Sequence, residues 1–443
     1  MTSYVSFGSG KSDRFPQVLW EKQKLPAYRN LCLLSAVFAF SVGLTIGILI
    51  PLMYFHNHYS AKNSSSLASQ EDQVVIRTIF VNNSYGYQSN NHSELAGYPT
   101  VSFVQSSKSN SSLDETNNEL IEEGMFWGEK VEKALPEGYR ERKHTIWSDY
   151  LTQAVAIRLE NGCGRMQNRM VTFKDGLKGC VRYRQNTDQI QGELFSFYLA
   201  QILELPNLAP SAVSVVDLSS PLWSNLHNEI ASAQWNSNRP IVLTQFISNL
   251  NSANIPAIFK PLERHLNKFD VLNMSRNSLL DDGDLLKSLV ELAQWSDLII
   301  FDYLTANLDR IVNNLYNYQW NVNIMDAPAH NLAKKSDSDL LVFLDNESGL
   351  LHGYRLLKKY EIYHSILLDN LCVFRRKTAN IIRKLKTTRN IGSLLRDMFE
   401  KRNSAAVKEI LPTLPDKSVK ILNERIDRVY VQIAKCRATF SNT

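Results

Sequence analysis

Apolar and polar positions divide the chain into three stretches. Residues 31–55 form a run of 25 without a single charged side chain. Residues 56–121 are rich in Ser, Asn and Gln and show little apolar periodicity, apart from a short candidate strand at 74–81. From residue 122 onward the texture is globular. Residues 122–139 are rich in helix formers up to Pro136. Residues 169–173 and 179–183 read as two strands joined by the turn signal Lys174-Asp175-Gly176. Leu194, Phe197, Tyr198, Ala200, Ile202 and Leu203 place a helix over 190–205. Further strands are expected at 212–216 and 241–246, a long helix at 285–304 and a short buried strand at 340–344. After Cys372, helical spacing continues through Ile381, Leu385 and Leu394. The expected class is α+β, with a small β-rich lobe followed by a larger helical lobe.

As a helix, the charge-free run would extend roughly 37 Å, more than the roughly 30 Å hydrocarbon core of a bilayer. A cleaved signal peptide carries an apolar core of only about 7–15 residues near the terminus, and a soluble core helix keeps a polar face. The run therefore predicts a transmembrane signal-anchor helix. Lys22, Lys24 and Arg29 precede it, which places the N-terminus in the cytoplasm and the rest in the lumen. The expected layout is a cytoplasmic tail at 1–30, the anchor at 31–55, a glycosylated flexible stem at 56–121 and a lumenal catalytic domain at 122–443. Glycosylation sequons at Asn63, Asn82, Asn91 and Asn110 agree with that topology. Asn346-Glu-Ser is a further sequon, expected to stay unmodified because a glycan would obstruct the site proposed beside it.

The cysteines point to the same compartment. With Cys32 inside the span, Cys163, Cys180, Cys372 and Cys436 remain as an even lumenal set. Of the three possible pairings, Cys163 with Cys180 and Cys372 with Cys436 is preferred. Their spacing suits neither zinc nor a thioredoxin-like pair. The formal charge is +5, and five basic against two acidic residues before position 31 account for +3 of it. No dense basic stripe remains, so a nucleic-acid partner is excluded.

Candidate chemistry lies in the helical half. Asp309 stands five residues before Asn314, the spacing from base to metal-binding Asn in the protein-kinase catalytic loop. Downstream, Leu341-Val342-Phe343-Leu344 runs into Asp345, as a metal-binding Asp follows a strand in kinases. Rival patterns are weaker. Gly8-Ser9-Gly10-Lys11-Ser12 imitates a P-loop but has Val5 where the first Gly belongs. Lys260 sits on a lysine-bearing segment that comes too late in chain order. Asp282-Gly283-Asp284 and Asp337-Ser338-Asp339 fit the metal-binding pattern of a Golgi type II glycosyltransferase, yet the first opens a helix and the second is a polar loop. The histidines show no metal-ligand spacing.

Trp295 to Arg310, Phe343 to Arg355, Gln189 to Glu193 and Cys372 to Thr378 closely resemble the Four-jointed family, over roughly residues 122–440 together with the type II layout. The resemblance implies an atypical, two-lobed protein-kinase-like fold. It further implies a Golgi lumenal Ser/Thr kinase that uses ATP with a divalent metal, Mn or Mg. The implied partners are cadherin repeats of Fat- and Dachsous-type proteins, with effects on planar cell polarity and growth. Cleavage of the stem would release a secreted form. By the same resemblance Asp309 is the catalytic base, Asp345 the principal metal ligand and Asn314 its companion. Glu193 is the helix carboxylate that orients the phosphate-binding cation. Gly179-Cys180-Val181-Arg182 overlays the kinase Val-Ala-Ile-Lys pattern, so Arg182 takes the lysine's place, and Lys178 and Arg184 on the same strand face could share its role. The alternatives are a catalytically silent kinase-like binding protein and a Golgi glycosyltransferase.

Overall fold

The computed structural model describes residues 119–441, except 262, 264, 265 and 278–281. The expected tail, anchor helix, stem sequons and 74–81 strand lie outside the described residues. Among the described residues, no helix is long and apolar enough to cross a membrane.

The domain opens with a hairpin, β1 (Ile121–Glu122) and β2 (Phe126–Trp127), followed by helix α1 (Glu129–Ala134). A continuous helix-rich start was expected here. The turn instead uses Gly124 at φ +64°, where an added Cβ would stand 2.1 Å from the Phe440 carbonyl oxygen. Helix α2 (Glu141–Gln153) leads into β3 (Ala156–Asn161), β4 (Arg169–Phe173) and β5 (Lys178–Tyr183). The β4–β5 hairpin turns at Gly176, φ +88°, as the turn signal predicts. Helix α3 (Thr187–Ile202) starts at Asn186, whose side chain accepts from the Asp188 amide. Then follow β6 (Ser211–Val215), helix α4 (His227–Ser232) and β7 (Pro240–Gln245). The five strands form one antiparallel sheet in the order β3-β4-β5-β7-β6.

Alternation along β5 decides what the site receives. Val181 and Tyr183 point into a cluster with Trp147, Phe173, Trp223 and Trp235 on one face. Arg182 must then point to the opposite face, toward α3. That helix is buried from Ile190 through Ala200, and the main core gathers around it and the helical lobe.

The helical lobe is built by α5 (Lys268–Asn277), α6 (Asp282–Thr305) and α7 (Ile311–Asn317), then α8 (Leu351–Arg355) and α9 (Leu357–Asp369). The chain closes with α10 (Arg376–Thr388), α11 (Ile391–Arg402), α12 (Ala405–Ile410) and α13 (Asp416–Phe440). Within this half lies a second sheet, β8 (Leu250–Asn254), β9 (Pro328–Lys335) and β10 (Leu341–Phe343). Only β10 was expected. Disulfides join Cys163 to Cys180 and Cys372 to Cys436, as preferred from the sequence.

Helix α3 approaches the turn after β10 closely. A Cβ at Gly192 would lie 2.5 Å from the Glu347 carbonyl oxygen and 2.9 Å from that of Gly349. The smallest residue therefore sets the distance between helix and turn, and its neighbour is Glu193.

Candidate active site

The sheet lobe, α3 and the turn after β10 deliver their charged groups to one place. Arg182 Nη1 lies 2.5 Å from Asp345 Oδ1 and 2.8 Å from Glu347 Oε2, and its Nε lies 3.7 Å from Glu193 Oε2. All four side chains are largely buried. Burial alone would pull the Arg182 guanidinium down. Glu193, Asp345 and Glu347 outweigh it and hold Arg182 above its ordinary value, so it stays cationic. Burial pushes the Glu193 carboxyl above the usual carboxylate range, with Arg182 opposing. The two directions are compatible because one guanidinium is shared among three carboxylates. Glu193 also accepts the Asn346 amide at 2.6 Å, which ties α3 to the turn.

Asp345 adopts φ +49°, a left-handed conformation that Asp tolerates better than most residues. Arg310 supports it from the other side and is fully buried. Its Nη1 pairs with Asp302 at 2.5 Å, and its Nη2 donates to the Leu344 carbonyl at 2.8 Å and to Asn346 Oδ1 at 2.7 Å. Burial pushes Asp302 up to about 6, with Arg310 opposing. Asn346 is 1% exposed, and its Nδ2 donates to the Phe343 carbonyl. A sequon so enclosed has no room for a glycan.

Asp309 is half-buried at the start of α7, in a loop held by Asn307. Asn307 Oδ1 accepts the Asp309 amide at 2.9 Å and the Ser348 hydroxyl at 3.0 Å. Through Asn307 and Arg310 together, the Asp309 loop is fastened to the Asp345 turn. Asn314, also 1% exposed, donates through Nδ2 to the Ile324 carbonyl at 3.0 Å. Its Oδ1 is buried without a hydrogen-bond partner. Asn307 Nδ2 and Arg184 Nη2 share that condition. Unpaired buried polar atoms cost stability, and Asn314 makes its side-chain bond to Ile324 rather than to Arg182, Glu193, Asp345 or Glu347.

Several contributors are not visible in the local motifs. Glu347 accepts from Arg165, Arg182, Arg184 and Gln189. Arg184 is 2% exposed, and burial pulls its guanidinium below the ordinary value while Glu347 opposes. Lys178, by contrast, is exposed and does not join the group. Lys260 pairs with Asp326 at 2.5 Å. Asp337 pairs with Lys335, and Asp339 with Lys287 and Lys334, so this acidic pair is engaged by lysines.

Among the described residues, no three His, Cys, Asp or Glu side chains gather to hold a metal. Asp345, engaged by Arg182 in this structure, and Asn314 each carry a hard oxygen of the kind that Mg²⁺ or Mn²⁺ takes. Such ions complete their shell with water and phosphate rather than a protein cage.

The chain is 54% identical to the "Extracellular serine/threonine protein kinase four-jointed" of Drosophila melanogaster over 360 residues, covering 72% of this chain and 62% of the fly protein. It thus spans less than two thirds of that relative's length. It is 35% identical to human "Four-jointed box protein 1" over 324 residues, covering 72% of this chain and 71% of the human one. A crystal structure of the Golgi casein kinase with Mn/ADP bound overlaps with a TM-score of 0.44 at 13% identity, over 70% of this chain and 81% of that one, too loosely to carry an assignment. Residues 142–439 match the family described as the Four-jointed box protein middle domain, and the chain belongs to the Four-jointed box family.

Proposed function

We propose that this chain is a Ser/Thr protein kinase of the secretory pathway, transferring the γ-phosphate of ATP to hydroxyls on extracellular cadherin repeats of Fat- and Dachsous-type proteins. In this reading it is a single-pass type II Golgi protein, and its substrates connect it to planar cell polarity and growth. The observation that carries the proposal is Arg182 standing between Glu193 and Asp345. A strand cation, a helix carboxylate and a post-strand Asp are the parts kinases use to hold phosphate and metal. The fly relative's name supports the same activity.

In this reading Arg182 holds the nucleotide phosphates and Glu193 fixes its direction. Asp309 orients the attacking hydroxyl and takes its proton as the oxygen bonds to the γ-phosphorus and the bond to ADP breaks. Asp345 and Asn314 would hold the divalent metal, which when bound neutralises phosphate charge. Guanidinium can bind phosphate bidentately, so arginine suits the position chemically although it is bulkier than lysine.

The second reading is a catalytically silent kinase-like binding protein. One observation favours it: Arg182 already occupies the Asp345 carboxylate at 2.5 Å. Incubating the full-length chain with labelled ATP, Mn²⁺ or Mg²⁺ and secreted cadherin-repeat fragments separates the two. Labelled Ser or Thr in the fragments supports the kinase. Nucleotide binding without any transfer leaves the silent scaffold.

A further inference from the structure

The loop between β3 and β4, residues 162–168, is fastened firmly at both ends and loosely at its tip. At one end the Cys163–Cys180 disulfide ties it to β5, two positions before Arg182. At the other, Asn168 is buried and its Oδ1 accepts from Arg184 at 2.7 Å. The tip between them is open, with Met166 93% exposed. Among the described residues, 162–167 reach the turn after β10 through one contact, Arg165 Nη1 to Glu347 Oε1 at 2.6 Å.

The two partners differ in what else holds them. The Glu347 side chain is 2% exposed, and its other oxygen receives Arg182 at 2.8 Å and Arg184 at 2.6 Å. Gln189 also donates to its Oε1, so the carboxylate stays seated without Arg165. The Arg165 side chain is 54% exposed and has no second carboxylate, and ion pairs so exposed are worth little. Arg165 is therefore the displaceable member of a cluster in which three guanidiniums meet one carboxylate. Guanidinium matches phosphate oxygens with its fork of donors. A nucleoside polyphosphate with its divalent metal carries both signs, so such a cluster can exchange partners with it and leave no buried charge unpaired. Arg165 can make that exchange by turning one exposed side chain.

We propose that Arg165 is a polyphosphate-binding latch. In the nucleotide-free protein it holds the β3–β4 loop on Glu347, and a bound nucleoside triphosphate takes the guanidinium over, so that the loop closes on the phosphates instead. This rests on reading the Arg182–Asp345 group as a nucleotide site. The Cys163–Cys180 disulfide keeps the loop beside Arg182 in both states, so only the tip changes partner.

The test uses the full-length chain in a lipid nanodisc and calorimetric titration of ATP with Mn²⁺, with adenosine as the phosphate-free control. Arg165→Ala should weaken ATP binding about ten-fold, the worth of one charge-assisted hydrogen bond, and leave adenosine unchanged. Arg165→Lys should keep part of the affinity, because it retains the charge and loses the fork. Hydrogen exchange at 162–168 should be slow in wild type with ATP, and fast in Arg165→Ala with or without it. A strut serving only Glu347 would change exchange in the free protein and not ATP affinity. ATP binding by Arg165→Ala as tight as wild type overturns the proposal, as does an equal loss for adenosine. Labelled ATP and cadherin-repeat fragments separate the latch from the kinase reading. ATP bound without transfer sinks that reading alone, whereas transfer by wild type with unchanged ATP binding in Arg165→Ala sinks the latch alone.

Discussion

Arg310 donates to the Asn346 side chain at 2.7 Å while pairing with Asp302 at 2.5 Å, so one guanidinium locks the Asp309 loop to the Asp345 turn. Asp309, the proposed base, and Asp345, the proposed metal ligand, thus belong to a single hydrogen-bonded body, although they come from separate elements. Removing the guanidinium would leave Asp302 buried and unpaired. Arg310→Met is expected to cost about 3–5 kcal/mol in denaturant unfolding. A loss below about 1 kcal/mol would show that the pair contributes little.

Asp309→Asn should lower phosphate transfer by about 10²- to 10⁴-fold, the usual contribution of a positioned base. Its melting temperature and ATP binding should stay close to wild type, because Asp309 is held through its backbone amide on Asn307. Wild-type turnover in a folded Asp309→Asn protein would remove Asp309 from the mechanism.

Asp345→Ala should abolish transfer and make nucleotide binding insensitive to Mn²⁺. Arg182→Ala should weaken nucleotide binding more than Arg182→Lys, which keeps the charge but loses the fork geometry. Calorimetric titration of ATP with and without metal reads both effects. An Asp345→Ala protein that still binds ATP more tightly with Mn²⁺ contradicts the assignment.

Acid stability should depend on His144. Burial first, and then the Arg402 charge, depress its folded value to about 4, from an ordinary value of 6.5. A depressed histidine contributes stability that is complete above the unfolded value and is lost as pH falls from 6.5 toward 4. Over that window the loss amounts to about 3 kcal/mol. Asp302, raised to about 6, runs in the opposite sense, losing its contribution as pH rises from 3.8 through 6. Comparing wild type with His144→Phe isolates the histidine. The variant's unfolding free energy should fall less between pH 6.5 and 4, and an identical slope would refute the assignment.

Reduction should destabilise the domain in two unequal steps. In the chain-entropy model the 17-residue separation of Cys163 and Cys180 is worth about 3 kcal/mol, and the 64-residue separation of Cys372 and Cys436 about 4 kcal/mol. Cys163→Ala with Cys180→Ala should therefore cost less than the other pair of substitutions, as read by urea unfolding. The reverse order would mean that folded-state effects dominate.

The Asp309–Asn314 spacing and the strand running into Asp345 were legible because each is local, with the necessary residues a few positions apart. The alternation that turns Arg182 toward α3 was legible for the same reason. Glu347 was not: Arg182 and Glu347 lie 165 positions apart, and no short pattern signals a carboxylate that three arginines will meet. The kinase pattern also has glycine at that offset from the metal-binding Asp. Strands β8 and β9 escaped because Leu250–Asn254 and Pro328–Lys335 are mostly polar. They pair with each other along the backbone, and only Ala253, Ala329 and Leu332, small or widely spaced, reach the main core from them. The opening hairpin was hidden by the helix-forming Glu and Lys around it, and its turn depends on a glycine meeting the far end of the chain.

The missing side chain at Gly192 leaves the helix bearing Glu193 no clearance from the turn bearing Asp345 and Glu347. In kinases whose corresponding helix swings freely, that swing is a ready on–off control. Here helix and turn behave as one cog, so pulling one away strips the other of its seat. On the proposed kinase reading, a protein built this way is permanently cocked, and its output is expected to follow what reaches it and for how long, as a stamp on a conveyor marks whatever passes beneath.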